Sequence, residues 1–93
     1  MAYGAVTVTD TATEIIGPGV QRRSHMLFNR DAANTVYIGP DTSITTANAY
    51  PLGPLNQLLE DKAQAGYWKG PVYGICTAGN TAEVRYWTRI EST

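Results

Sequence analysis

The segment from Glu83 to Ile90 constrains the fold most. It alternates strictly: Val84, Tyr86, Thr88 and Ile90 fall on one side, Glu83, Arg85, Trp87 and Arg89 on the other. A period of two is what a strand with one dry face and one wet face needs, because successive side chains leave a sheet on opposite sides. The Val84 set is therefore expected to point inward. Shorter segments repeat the signal in Ala5–Thr9, Thr13–Ile16, Asn34–Ile38 and Val72–Cys76. Between Val20 and Asn29, His25 and Leu27 share one face, and Ser24, Met26 and Phe28 the other. Turn formers such as Gly17-Pro18-Gly19, Gly39-Pro40-Asp41, Gly53-Pro54, Gly70-Pro71 and Gly79-Asn80 separate these runs. Their spacing, roughly 8–12 residues, is that of sandwiches and barrels. The reading is all-β: a small antiparallel β-sandwich or barrel with at most one short helix, residues 1–93 forming a single domain.

Local choices follow. Val72–Cys76 and Glu83–Ile90, joined through Ala78-Gly79-Asn80, read as a β-hairpin. Pro54, Leu55, Leu58, Leu59, Lys62 and Gly66 fit a short helix, while Leu58-Leu59-Glu60 fits a strand equally well. The Thr-rich stretch from Asp41 to Pro54 reads as a long connection with one short strand at Ser43-Ile44-Thr45. Residues 1–19 are short and Thr/Val-rich. They fit either strands of this sandwich or an N-terminal arm exchanged onto a neighbour's sheet edge.

At 93 residues, a domain buries only about 60–65% of its unfolded surface, so its core is marginal alone. One cysteine, Cys76, excludes an internal disulfide, and one histidine, His25, argues against a His/Cys metal cage. Oligomerisation or docking on a larger partner is the remaining support. Seven Lys+Arg against eight Asp+Glu give a net charge of −1, with no basic block to neutralise a phosphate backbone, so no nucleic-acid partner is expected. Charged residues make up only 16% of the chain, against about 25% in an average domain, which suits contact with other protein. No apolar run approaches the roughly 18 residues of a membrane span. The start, Met1-Ala2-Tyr3-Gly4, lacks the pattern of a secretory signal, so synthesis in a cytoplasm is expected.

Catalytic sets are poorly represented. Ser24 and His25 are adjacent in a strand and diverge to opposite faces, and no G-x-S-x-G elbow exists. Cys76 sits in an apolar strand as a small hydrophobe. Asp41-Thr42-Ser43 resembles the D-[ST]-[GS] tripeptide of dimeric retroviral-type aspartic proteases, whose paired carboxylates share a proton. Gly39-Pro40 stands where that family has apolar strand residues, and a turn-forming Asp is the plainer reading. No phosphate cradle, calcium loop, metal or cofactor site is indicated, and no enzyme is expected. The features left are aromatic. Trp87, flanked on its face by Arg85 and Arg89, and Tyr67-Trp68, in a Gly-bounded loop, are the candidate protein-interface residues.

Met26-Leu27-Phe28-Asn29, Asn34-Thr35-Val36-Tyr37-Ile38-Gly39, Ile44-Thr45, Pro71-Val72-Tyr73-Gly74-Ile75 and Ala82-Glu83-Val84-Arg85-Tyr86 follow one another in order. This succession resembles small β-sandwich structural proteins of tailed bacteriophages. The usual Gly after the Thr-rich loop is replaced by Ala49-Tyr50. The resemblance implies a virion component made in the host cytoplasm. The first expectation is a capsid decoration (cement) protein that binds the major capsid protein of mature heads as a homotrimer. The alternative is a tail, head-fibre or baseplate component touching other virion proteins or a host glycan.

Overall fold

The computed structural model describes residues 2–18, 22–61, 68 and 70–90. They form eight strands: β1 (Ala2–Val8), β2 (Thr13–Ile16), β3 (Arg22–Asn29), β4 (Val36–Gly39), β5 (Tyr50–Leu52), β6 (Gln57–Asp61), β7 (Val72–Ile75) and β8 (Ala82–Ile90). Among the described residues there is no helix. All pairings are antiparallel and make two four-stranded sheets. Sheet A has the order β1-β8-β3-β6 and sheet B the order β2-β7-β4-β5. The chain is therefore a small all-β sandwich. Residues 2–16 supply an edge strand to each sheet within the same chain.

Alternation places the core as the sequence suggested. Val8, Leu27 and Val84 of sheet A are fully buried against Ile15, Val36, Leu52 and Val72 of sheet B. In β8, Val84 and Thr88 are buried while Arg85, Trp87 and Arg89 are exposed. Tyr86 packs against the core and lies over its register partner Gly4 on β1. An aromatic ring thus covers the backbone that a glycine leaves bare. Gly74 occupies the centre of the core. A Cβ there would stand 2.8 Å from Ile15 Cδ1 and 3.0 Å from Val36 Cγ1.

Two local readings are corrected and one alternative is decided. β7 and β8 do not form a hairpin: β7 pairs with β2 and β4, and β8 with β1 and β3, in opposite sheets. The intervening turn, with Gly79 at φ 82° and a Gly79 N–H donated to Asp10 Oδ2 at 2.9 Å, arches over the end of the sandwich. Both strands can then bury their inward residues against each other across the core. Of the two forms open to the segment after Pro54, its described part is the strand β6, and residues 62–66 lie outside the described residues. Leu55 takes the left-handed region at φ 57°, which ends a right-handed helix in its first turn. Leu58 and Leu59 instead pair with Leu27 and Met26 of β3. Ser43-Ile44-Thr45 is not a strand: Ser43 lies in a turn and Ile44-Thr45 in irregular chain, with Ile44 buried where it packs on Gly39. The strand in that connection is β5, opposite β4.

Candidate interaction surface

The outer face of sheet A carries a row of apolar side chains in register across all four strands. Tyr3 of β1 pairs with Trp87 of β8, Trp87 with Met26 of β3, and Met26 with Leu59 of β6. Their opposite-parity neighbours Leu27, His25 and Thr88 are buried in the sandwich, so alternation forces this row outward. Tyr3 is 82% exposed, Leu59 59% and Trp87 43%. The adjacent row, Ala5, Arg85, Phe28 and Gln57, adds half-buried Phe28 and the guanidinium of Arg85. Arg85 Nε lies 3.3 Å from Glu83 Oε2 on the same face, an exposed pair that orients the guanidinium more than it stabilises the fold. Arg89 flanks Trp87 on the other side. Charge is confined to the margin of the aromatic strip, the pattern of a dry centre with a polar rim.

Covering one large apolar side chain is worth about 1.5–3 kcal/mol. A row with Tyr3, Leu59 and Trp87 exposed around a half-buried Met26 is thus a surface that gains from being covered by another protein. Isolated exposed apolar residues are ordinary, whereas a contiguous strip is a mark of an interaction site.

A second feature lies between the sheets on the β5–β6 side, a cleft of about 750 Å3. Its lining includes His25, Ile38, Tyr50, Leu58, Trp68 and Val72. Trp68, half exposed at this cleft, is held by its own domain: its indole Nε1 donates to Pro71 O at 2.8 Å. The ring also occupies the space that a Cβ on Gly70 would need. The guanidinium of Arg22, only 3% exposed, donates to the carbonyls of Gly17 at 2.9 Å, Trp68 at 3.1 Å and Gly70 at 2.8 Å. β3 thus anchors the segment that carries the indole.

Deeper in the cleft, His25 Nε2 stands 2.8 Å from Glu60 Oε1, its register partner on β6. Burial and the nearby Arg22 charge hold the imidazole below the ordinary histidine range, against an opposing pull from Glu60. Burial and Arg22 thus favour the neutral form of His25, which is tied to an edge-strand carboxylate. Burial, with smaller contributions from Asp31 and Asp10, pushes the Cys76 thiol up, which disfavours its nucleophilic thiolate. Asp41 lies in an exposed turn and its carboxylate accepts the Ser43 N–H at 2.8 Å, as a turn-capping aspartate does. Among the described residues no group of three or more His, Cys, Asp or Glu could hold a metal ion.

The residues singled out from the sequence fall in two places. Arg85, Trp87 and Arg89 share the outer face of sheet A. Trp68 stands apart at the inter-sheet cleft, its carbonyl and that of Gly70 held by Arg22. Tyr67 lies outside the described residues. Tyr3, Met26 and Leu59, which complete the row around Trp87, were not singled out, because only strand register brings them there. Asn29 and Arg22 were also missed, since nothing local marks a strand-end polar residue as buried. No family model, no curated protein and no solved structure matches this chain.

Proposed function

We propose that the chain is a non-enzymatic binding module of a bacteriophage virion, a decoration protein that docks on the capsid through the outer face of sheet A. The observation that carries this reading is the in-register row Tyr3–Trp87–Met26–Leu59, in which Tyr3, Trp87 and Leu59 are exposed around a half-buried Met26. Such a face fits the resemblance of the sequence to small phage structural proteins. A small module of this kind gains stability from the surface it binds, by mass action. Repeated over a shell, modest contacts add through multivalency. Sedimentation with expanded and unexpanded heads of the phage encoding the chain tests the proposal. Binding to expanded heads supports it, and failure to sediment with either form refutes it.

The half-exposed indole of Trp68 at the cleft favours a second reading, a tail, fibre or baseplate component that contacts a host glycan. Glycan-array binding that disappears in Trp68→Ala, with no capsid binding, would replace the first reading by the second.

A further inference from the structure

Among the described residues the sandwich has four edge strands, β1 and β6 in sheet A and β2 and β5 in sheet B. Three carry features that discourage pairing with another strand. β2 has only four residues, includes Glu14, and shifts register between Glu14 and Ile16. β5 has three residues and contains Pro51, which cannot donate to a ladder. β6 ends in Glu60-Asp61, and the Glu60 side chain turns inward to His25.

β1 has none of these. Its seven residues, Ala2-Tyr3-Gly4-Ala5-Val6-Thr7-Val8, include no charge and no proline. They pair with β8 one for one, without a register shift, from Ala2↔Thr88 to Val8↔Ala82. Among the described residues no strand occupies its other side. We propose that β1 is a pairing edge at which two copies of this chain join their A sheets, antiparallel, about a twofold axis at Ala5.

The register follows from the strand itself. Only with Ala5 opposite its own copy do all seven residues find a partner: Ala2 faces Val8, Gly4 faces Val6 and Tyr3 faces Thr7 of the other copy. Residues facing each other then share parity, so the inner faces of both sandwiches remain inner. Small side chains meet at the axis, no like charges are opposed, and the Tyr3 ring gains a cross-strand threonine to lie on. A contact that uses the same patch on both copies closes after two subunits. It gives a dimer rather than the threefold assembly implied by the sequence resemblance. The result is an eight-stranded sheet with the Trp87 rows of both copies on one continuous outer face. This inference does not depend on the capsid reading.

Light scattering on size-exclusion eluates, over a range of loading concentrations, tests it with the full chain. The wild type is expected at twice the 10.1 kDa chain mass. Ala5 is an exposed position, so Ala5→Lys and Ala5→Glu should each keep their β-type circular dichroism while the mass halves. An equimolar mixture of the two should restore the dimer mass, because only the mixed pair sets opposite charges across the axis, while Arg85 stands beside position 5 in every copy alike. A wild type that is monomeric or trimeric at every concentration overturns the proposal, as does a dimer that Ala5→Lys leaves intact. Should either variant lose its β signal, amide exchange in the wild type decides. Slower exchange in Tyr3–Thr7 at high than at low protein concentration supports the pairing edge; equal exchange refutes it.

Discussion

The side-chain amide of Asn29 donates to the Leu52 carbonyl at 3.0 Å, joining the last residue of β3 in sheet A to the last of β5 in sheet B. The same amide reaches Asn34 O at 2.8 Å and Gly53 O at 3.2 Å, and its Oδ1 accepts the Asp31 N–H at 3.0 Å. Asn29 is fully buried, so these carbonyls have no water to replace it. Asn29→Ala should destabilise the fold by about 1–3 kcal/mol for the unpaired buried groups, read as a lower urea midpoint. Asn29→Asp, which turns a donor into an acceptor facing three carbonyls, should do more harm at pH 7 than at pH 4.

Gly74 lies in β7 between Ile15 of β2 and Val36 of β4, its neighbours in sheet B, with Val8 of sheet A facing it. A methyl group there would press on Ile15 and Val36, with Val8 Cγ2 at 3.4 Å behind them. Gly74→Ala should therefore cost about 1–3 kcal/mol by overpacking, although alanine has the better strand propensity. A simultaneous Ile15→Val should recover part of the loss in thermal unfolding.

His25 gives the stability a pH dependence of known sign. Its folded-state pKa is lowered, chiefly by burial and then by Arg22, whereas the unfolded chain takes up the proton near the ordinary value of about 6.5. Between those two values the unfolded state binds more protons, so stability rises with pH there. The contribution is complete above about pH 6.5 and is lost as pH falls toward the folded-state pKa. Denaturant titrations from pH 8 to 5 should show this decline, and His25→Gln should flatten it.

Cys76 is 1% exposed, its Sγ lies 3.6 Å from Val8 O, and burial raises its thiol pKa. It should resist a thiol-specific reagent at pH 8 in the native protein and react fully in denaturant. Labelling at the solvent rate under native conditions would contradict this.

Much of the fold was legible because alternation reports burial directly. In β8 the inward Val84 and Thr88 and the outward Arg85, Trp87 and Arg89 could be read in advance, while Ile90's side chain lies outside the described residues. In β3 the split of His25 and Leu27 from Met26 and Phe28 could be read, but not which pair faces the core. Pairing was less legible. Gly79-Asn80 marks a reversal, but the same turn serves a hairpin or an arch, and only the competition among all strands for partners placed β7 and β8 in different sheets. The leucines after Pro54 suit a helix and a strand alike; the left-handed Leu55 and the free edge of β3 decided between them. The candidate surface was half visible. Trp87, Arg85 and Arg89 announce themselves on one strand, while Tyr3, Met26 and Leu59 lie 84, 61 and 28 positions away and meet Trp87 through register alone.

Trp87 tests the account most directly, because it stands at the middle of the outer row and contributes nothing to the buried core. Binding of Trp87→Ala to expanded heads should be measured beside its thermal unfolding. The variant should melt within a few degrees of wild type, as for an exposed site worth about 0.5 kcal/mol or less. Its head binding should weaken by about thirtyfold, as for a central interface anchor worth about 2 kcal/mol. Undiminished binding, or a chain that unfolds when Trp87 is removed, would contradict the account.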